Sequence, residues 1–261
     1  MLSDALAFIP AELARHSTAE LAFVCTAAAV AGLARGFSGF GGALIFVPLA
    51  SVAVGPRVAA ALLLVMDGVM ALGMLPNGWR RANRPEVFTM LAGALVGVPT
   101  GAALLAYLPP LTLRWIISLT VLALLAFLIS GWRYHGKPKT HLTVGVGVLA
   151  GLFGGAAQIS GPPIVAYWLG GASPAQTVRA NLVLYFALAS VIAAVTYVAG
   201  GILDGGVFAI ALLAAPAYGV GLTAGSWMFG VASEATFRRI CFLLIGLAAL
   251  IGMPLFDALH R

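Results

Sequence analysis

The chain has 261 residues, 62% of them hydrophobic and only 8% charged, where soluble domains carry about 25% charged residues. A water-soluble enzyme fold is thereby excluded: buried parallel strands could absorb apolar residues, but their covering helices would need polar faces that this sequence does not offer. The net charge of +6 arises from 14 basic and 8 acidic residues, and the basic ones sit in short turns between apolar runs, where the positive-inside rule explains them better than a nucleic-acid partner does. In chain order, residues 1–17 hold Asp4 and Glu12 against a lone Arg15, which is unlike the basic start of a cleavable signal peptide. They read as a lead-in lying at the surface, with Leu2, Leu6, Ile9 and Leu13 on one side. Apolar segments follow at 18–35, 42–54, 58–77, 87–107 and 113–132, then at 142–156, 162–171, 176–199, 205–229 and 236–256.

Runs this long, without polar alternation, predict helices, because every backbone amide in lipid must find a partner within its own segment or a closed barrel. The second member of each set of five has only ten to thirteen residues. A full crossing needs roughly 20. Each short segment is therefore expected to be one arm of a broken or re-entrant hairpin, shielded by protein or by a cavity.

The order of features repeats. Ala31-Gly32-Leu33 lies over Ala150-Gly151-Leu152 and Gly42 over Gly161; further on, Gly97 lies over Gly221, Gly101 over Gly225 and Arg114 over Arg238. The chain thus divides into a first repeat at 18–132, a cytoplasmic linker at 133–141, a second repeat at 142–256 and a tail at 257–261. Arg80-Arg81-Arg84 and Arg133-Lys137-Lys139 are the densest basic turns, two helices apart, and belong in the cytoplasm. If each leading pair returns to its own side, Arg179, Arg238 and Arg239 also face the cytoplasm, while Arg15, Arg57, Arg114 and Arg261 lie outside. The expected fold is an all-α polytopic membrane protein of two inverted repeats. Each repeat is a broken or re-entrant hairpin plus three long helices, giving about eight long helices with hairpin arms counted, and both termini fall outside the cytoplasm.

Transporter sites lie near the bilayer midplane where helices are interrupted. Two interruptions stand out. Ser38, Gly39, Phe40, Gly41 and Gly42 form the first, and Gln158, Ile159, Ser160, Gly161, Pro162 and Pro163 the second, inside an uncharged run of 37 residues from 142 to 178. Helix starts facing each other across a cavity would present free amides and positive dipole ends, which bind anions. Ser38, Gln158 and Ser160 can donate to an oxyanion without burying a charge. The plainer alternative is that the glycines only pack helices and Ser160 caps one.

Arg35, just before the first break, and Arg179, after the second, would draw an anion into a vestibule or else snorkel to headgroups. Asn181 lies within a span, where an amide wants a partner, and is assigned to the cavity. Asp67 falls near the middle of its helix, where an unpaired carboxylate is costly; it serves either proton coupling or a structural hydrogen bond. Asp204 is expected to cap the helix that follows it. Trp79, Trp115, Trp132 and Tyr134 read as interface anchors, and Trp168 and Tyr185 as lipid or packing residues. Cys25 and Cys241 read as core thiols. His16, His135, His141 and His260 are scattered, so no metal site is proposed, and no phosphate-binding loop or other cofactor motif is present.

The stretch Arg35-Gly36-Phe37-Ser38-Gly39-Phe40-Gly41-Gly42 followed by Phe46-Val47-Pro48-Leu49, with the later Gly154 to Pro163 and Arg179-Ala180-Asn181, resembles the TauE/SafE family of sulfite and organosulfur-anion transporters (four-toluene sulfonate uptake permease-like). The resemblance runs from about residue 20 to 256. It implies a bacterial inner-membrane permease that moves sulfite, an organosulfonate or another small sulfur-containing anion, with the two breaks in the substrate region. Gln158-Ile159-Ser160 departs from the glycine-rich form common in the second motif and makes this cavity more polar. Secondary transport of a small anion, coupled to protons or to the membrane potential, is the favoured function. A passive anion channel is the alternative. A membrane-embedded enzyme is a third reading, disfavoured because His, Asp and Glu are few and dispersed.

Overall fold

A computed structural model describes residues 9–136, 138–170, 174–228 and 234–255. The expected lead-in positions Leu2 and Leu6, Lys137 and the tail at 257–261 lie outside the described residues. After a helical turn at 9–13, the described chain forms helices α1 (Thr18–Ser38), α2 (Gly42–Val54), α3 (Pro56–Arg81), α4 (Arg84–Tyr107), α5 (Pro110–Ser130), α6 (Thr140–Ala157), α7 (Gly161–Leu169), α8 (Ala175–Ala199), α9 (Gly205–Met228) and α10 (Glu234–Gly252). Seven stretches of them are long and apolar enough to cross a membrane. The 19-residue α10 carries Arg238 and Arg239 near its start and is apolar beyond them.

The helix ends follow from local chemistry. Ser17 Oγ accepts from Glu20 N–H at 3.2 Å while Glu20 Oε2 accepts from Ser17 N–H at 2.8 Å, a capping box that starts α1. Asp204 Oδ1 accepts from Val207 N–H at 2.9 Å and so caps α9. Proline opens α3, α4, α5 and α7, at positions whose N–H would be orphaned in any case. Those prolines move two starts: α5 begins at Pro110 rather than 113 and α3 at Pro56 rather than 58, while α3 also runs on to Arg81 rather than 77. At the far ends of α4 and α10, Arg57 Nε donates to Leu105 O at 2.9 Å and Arg114 Nε to Gly252 O at 3.1 Å. Both guanidinium groups thus satisfy carbonyls at the negative end of another helix.

With a rise of 1.5 Å per residue, the 13-residue α2 is about 20 Å long and the nine-residue α7 about 14 Å, both short of a hydrocarbon core about 30 Å thick. Helix α2 packs back along α1: a Cβ on Gly42 would come within 3.2 Å of Arg35 Cβ and 3.1 Å of Ala31 O. Helix α7 lies against α6 and the 133–136 segment, where Tyr134 N–H donates to Ala166 O at 3.1 Å and the Tyr134 and Tyr167 rings stack.

The long helices pair through bare backbone. Helix α4 lies along α6, and α1 along α9. A Cβ on Gly93, Gly97 or Gly101 would come within 2.1–2.2 Å of the carbonyls of Val144, Val148 and Leu152. From α6, Gly147 and Gly155 meet Met90 O and Val98 O in the same way. The second pair repeats the pattern, Gly32 and Gly36 against Tyr218 O and Leu222 O, Gly221 and Gly225 against Ala29 O and Leu33 O. Small residues let helices in lipid approach this closely, and dispersion then replaces the missing hydrophobic drive. Helices α3 and α8 pack together in the middle, and α10 covers α2 and α5.

The α3–α4 turn is held from inside the protein: fully buried Asn181 of α8 accepts the Asn83 N–H on Oδ1 at 2.7 Å. Asn181→Leu is expected to cost about 1–3 kcal/mol by orphaning that amide, read as a lowered melting temperature in detergent. Gly97→Leu should cost about 3 kcal/mol by pushing α4 off α6; a melting temperature equal to wild type would contradict backbone contact there.

Candidate functional site

The last turn of α1 unwinds at Gly39, with φ 76°, and the chain passes Gly41 at φ 99° before α2 begins. These left-handed positions suit glycine and let the chain reverse within three residues. One turn before the reversal, Arg35 Nε lies 3.0 Å from Asp67 Oδ1 of α3, and another guanidinium N–H is donated to Gly39 O. Tyr218 of α9 donates its hydroxyl to the same Asp67 oxygen at 2.8 Å. The Phe186 ring of α8 faces the guanidinium, its centroid 5.1 Å from Cζ. Four helices therefore converge on one ion pair. The Arg35 side chain is 16% exposed and that of Asp67 28%, so the pair is shielded but open on one side.

The open side is a cavity of about 340 Å³ lined by Arg35, Ser38, Gly39, Phe40, Asp67 and Arg179, among others. Two guanidinium groups and one carboxylate are its charged side chains among the described residues, which leaves it net positive. A smaller space of about 40 Å³ lies beyond, lined by Asp67, Gln158, Ser160 and Ser190. Asp67 and Phe186 border both. On another side of the first break, Ser38, Phe40 and Gly41 also line an apolar cavity of about 290 Å³ with Arg133 and Arg238.

The second break is set by Gln158, at φ 59° the one described non-glycine residue in the left-handed region. Its N–H closes α6 on Gly154 O at 2.8 Å, and Ile159 N–H reaches Phe153 O at 3.2 Å. Tyr197 of α8 holds this strained end: its hydroxyl donates to Gly155 O at 2.7 Å and receives Gln158 Nε2 at 3.3 Å. An amide nitrogen has two hydrogens, so Gln158 keeps one donor beyond Tyr197. Ser160 folds over Gly154, where a Cβ would meet its Oγ at 2.2 Å. The two breaks touch, a Cβ on Gly161 lying 3.1 Å from Phe40 Cβ.

The structure separates the expected site residues into groups. Ser38, Gly39 and Phe40 share the larger cavity with Arg35, Asp67 and Arg179, whereas Gln158 and Ser160 line the smaller one. Gly42, Ile159, Gly161 and Pro162 are buried backbone around the breaks and line none of the three cavities. Asn181 lines none of the three cavities, and its oxygen accepts from the Asn83 N–H at the α3–α4 turn. Trp168 takes the packing role of the two expected for it. It is buried and donates to Glu86 Oε1 at 2.8 Å, fixing α7 to the start of α4. Sequence reasoning passed over Tyr218, Phe186 and Tyr197, each of which contacts a residue it had singled out. Their one signal is an aromatic in mid-span, a signal shared by many packing residues.

A net positive, partly shielded cavity with hydroxyl and amide donors behind it is suited to holding a small anion. Among the described residues no cluster of three His, Cys, Asp or Glu side chains is placed to hold a metal. Residues 24–252 match the family model described as sulfite exporter TauE/SafE. No curated protein and no solved structure matches the chain. With the match covering most of its length, the chain belongs to the TauE/SafE family and is a multi-pass membrane transporter of a small anion, not an enzyme, consistent with the cell inner membrane.

Proposed function

We propose that the protein moves sulfite or an organosulfonate by proton-coupled secondary transport, with the substrate passing between the two helix breaks. The observation that carries this reading is the Arg35–Asp67–Tyr218 cluster, which sets a guanidinium in the larger cavity beside a carboxylate that borders both cavities. Ser38, Gly39, Phe40 and Arg179 receive the anion in the larger space; Gln158 and Ser160 donate to it further in. Gly41, Gly42, Ile159, Gly161 and Pro162 shape the breaks, while Asn181 supports the site from the α3–α4 turn.

The same reading includes the inverted repeat. Its support is the matched pairing of α1 with α9 and α4 with α6, each through glycines that face backbone carbonyls, together with two short arms that follow the first helix of each half. Arg133, Arg179 and Arg238 border the two larger cavities, so those spaces open toward the cytoplasm in this orientation.

The experiment is uptake into proteoliposomes, offering sulfite, sulfate, thiosulfate and several sulfonates at set pH gradients. Saturable, gradient-driven accumulation of at least one sulfur oxyanion is expected. Flux that never saturates and ignores the pH gradient would make the protein a channel. A double variant with Gln158→Ala and Ser160→Ala is expected to fold and to bind the transported anion at least about tenfold more weakly, the scale of one lost hydrogen bond to a charged group. Wild-type affinity in that variant would remove the smaller cavity from the pathway.

A further inference from the structure

The arrangement around Arg35 has a property that anion transport alone does not require. The guanidinium faces the larger cavity, yet its charge is already matched by a carboxylate of the protein itself, 3.0 Å away. An incoming anion would meet a neutral pair and the repulsion of Asp67. Both hydrogen bonds to that carboxylate, from Arg35 Nε and from Tyr218, end on Oδ1. Oδ2 has no such partner among the described residues. The Tyr218 hydroxyl can also accept a hydrogen bond, so it can serve a carboxylate and a carboxylic acid in turn.

Resting on the transport reading above, we infer that Asp67 acts as a tethered stand-in for the substrate: the anion takes its place on Arg35 only as Asp67 takes up a proton, so the cargo is a monovalent sulfur oxyanion carried with one proton. The proton comes from the water in the open cavity and adds to the Asp67 carboxylate, giving a neutral acid held by Tyr218. Arg35 passes its hydrogen bonds from Asp67 to the anion. Release reverses both steps, and the Arg35–Asp67 pair closes again over the empty site.

Charge balance gives the selectivity. Empty, the site holds one positive and one negative charge. Loaded with a monoanion and a proton, it again holds one of each. A dianion carried with one proton would leave the Arg35–Asp67 position one charge more negative than when empty, with only the exposed Arg179 among the described lining residues to offset it, and charge at membrane depth is expensive. Arg179, exposed at the cavity wall, adds one fixed positive charge to the empty and the loaded state alike, so the exchange itself leaves the total unchanged. Helix α1 contributes Arg35 and α9 contributes Tyr218; α8 contributes Phe186 and Ser190, with exposed Arg179 at the cavity wall; the second break contributes Gln158 and Ser160, and α4 only Val98. Among the described residues, Asp67 is the one carboxylate lining either space.

The test is anion binding by the purified full chain in nanodiscs, with proton uptake read from the same titration in two buffers of different ionisation enthalpy. Methanesulfonate is the probe, since it stays ionised throughout and any pH dependence belongs to the protein. The expected result is about one proton taken up per anion, with affinity falling about tenfold per pH unit once Asp67 is ionised. Asp67→Asn should bind methanesulfonate with no proton uptake and no pH dependence; Arg35→Gln should abolish binding. Sulfate should bind wild type at least tenfold more weakly than methanesulfonate. Wild-type binding without proton uptake overturns the exchange while leaving anion transport standing, and it does so even if the Asp67 variant fails to fold. Sulfate binding as tightly as methanesulfonate, with the same single proton, overturns the charge balance. No binding of any sulfur oxyanion at any pH removes the transport reading and this inference with it.

Discussion

A break between helices leaves amides and carbonyls that lipid cannot satisfy, and two such breaks, after α1 and after α6, lie against each other in this fold. The rest of the structure answers that constraint. Around the first break, Arg35 takes the carbonyl of Gly39 and Ser38 Oγ donates to Ala34 O at 2.7 Å. Around the second, Tyr197 takes the carbonyl of Gly155. Each satisfying group is itself polar and needs its own partner, so the shielding extends outward to Asp67 and Tyr218 on one side and to Gln158 on the other. The residues that line the two polar cavities are therefore continuous with the groups that satisfy the broken backbone. The ion pair belongs to both: replacing one partner would leave a shielded charge alone, which is a larger loss than the pair's own net stabilisation.

Much of this could be read from the residues before any coordinates. Segment lengths near or above 20 residues gave the long helices, because lipid thickness leaves little freedom. Gly39 and Gly41, and Pro162 after Gly161, marked the breaks, since each is poorly tolerated inside a helix. Asp67 stood out as a carboxylate in an apolar run. Its pairing with Arg35 and Tyr218 did not. Arg35 is 32 residues away and Tyr218 is 151 away, and no periodicity links them. Their meeting depends on how closely α1 and α9 approach, and that is decided by glycines whose repetition was visible but whose contacts were not.

Asn181 shows the opposite case. An amide in a span is rightly expected to have a partner, and the partner turned out to be a backbone N–H at the start of a neighbouring helix. Sequence can state that need without saying which of two surfaces meets it. Trp168 is similar: its indole N–H requires an acceptor when buried, but Glu86 supplies it across 82 positions of chain.

The glycine-to-carbonyl contacts that pair the long helices α1 with α9 and α4 with α6 all join the stretch 18–132 to the stretch 142–256. Helix α1 finds its match in α9, and α4 finds its match in α6. Either stretch made without the other would carry two strips of naked peptide with nothing to lie against, in a solvent that offers no hydrogen bonds. The molecule is thus interleaved rather than modular. Its halves, alike in pattern, are assembled only in each other's company.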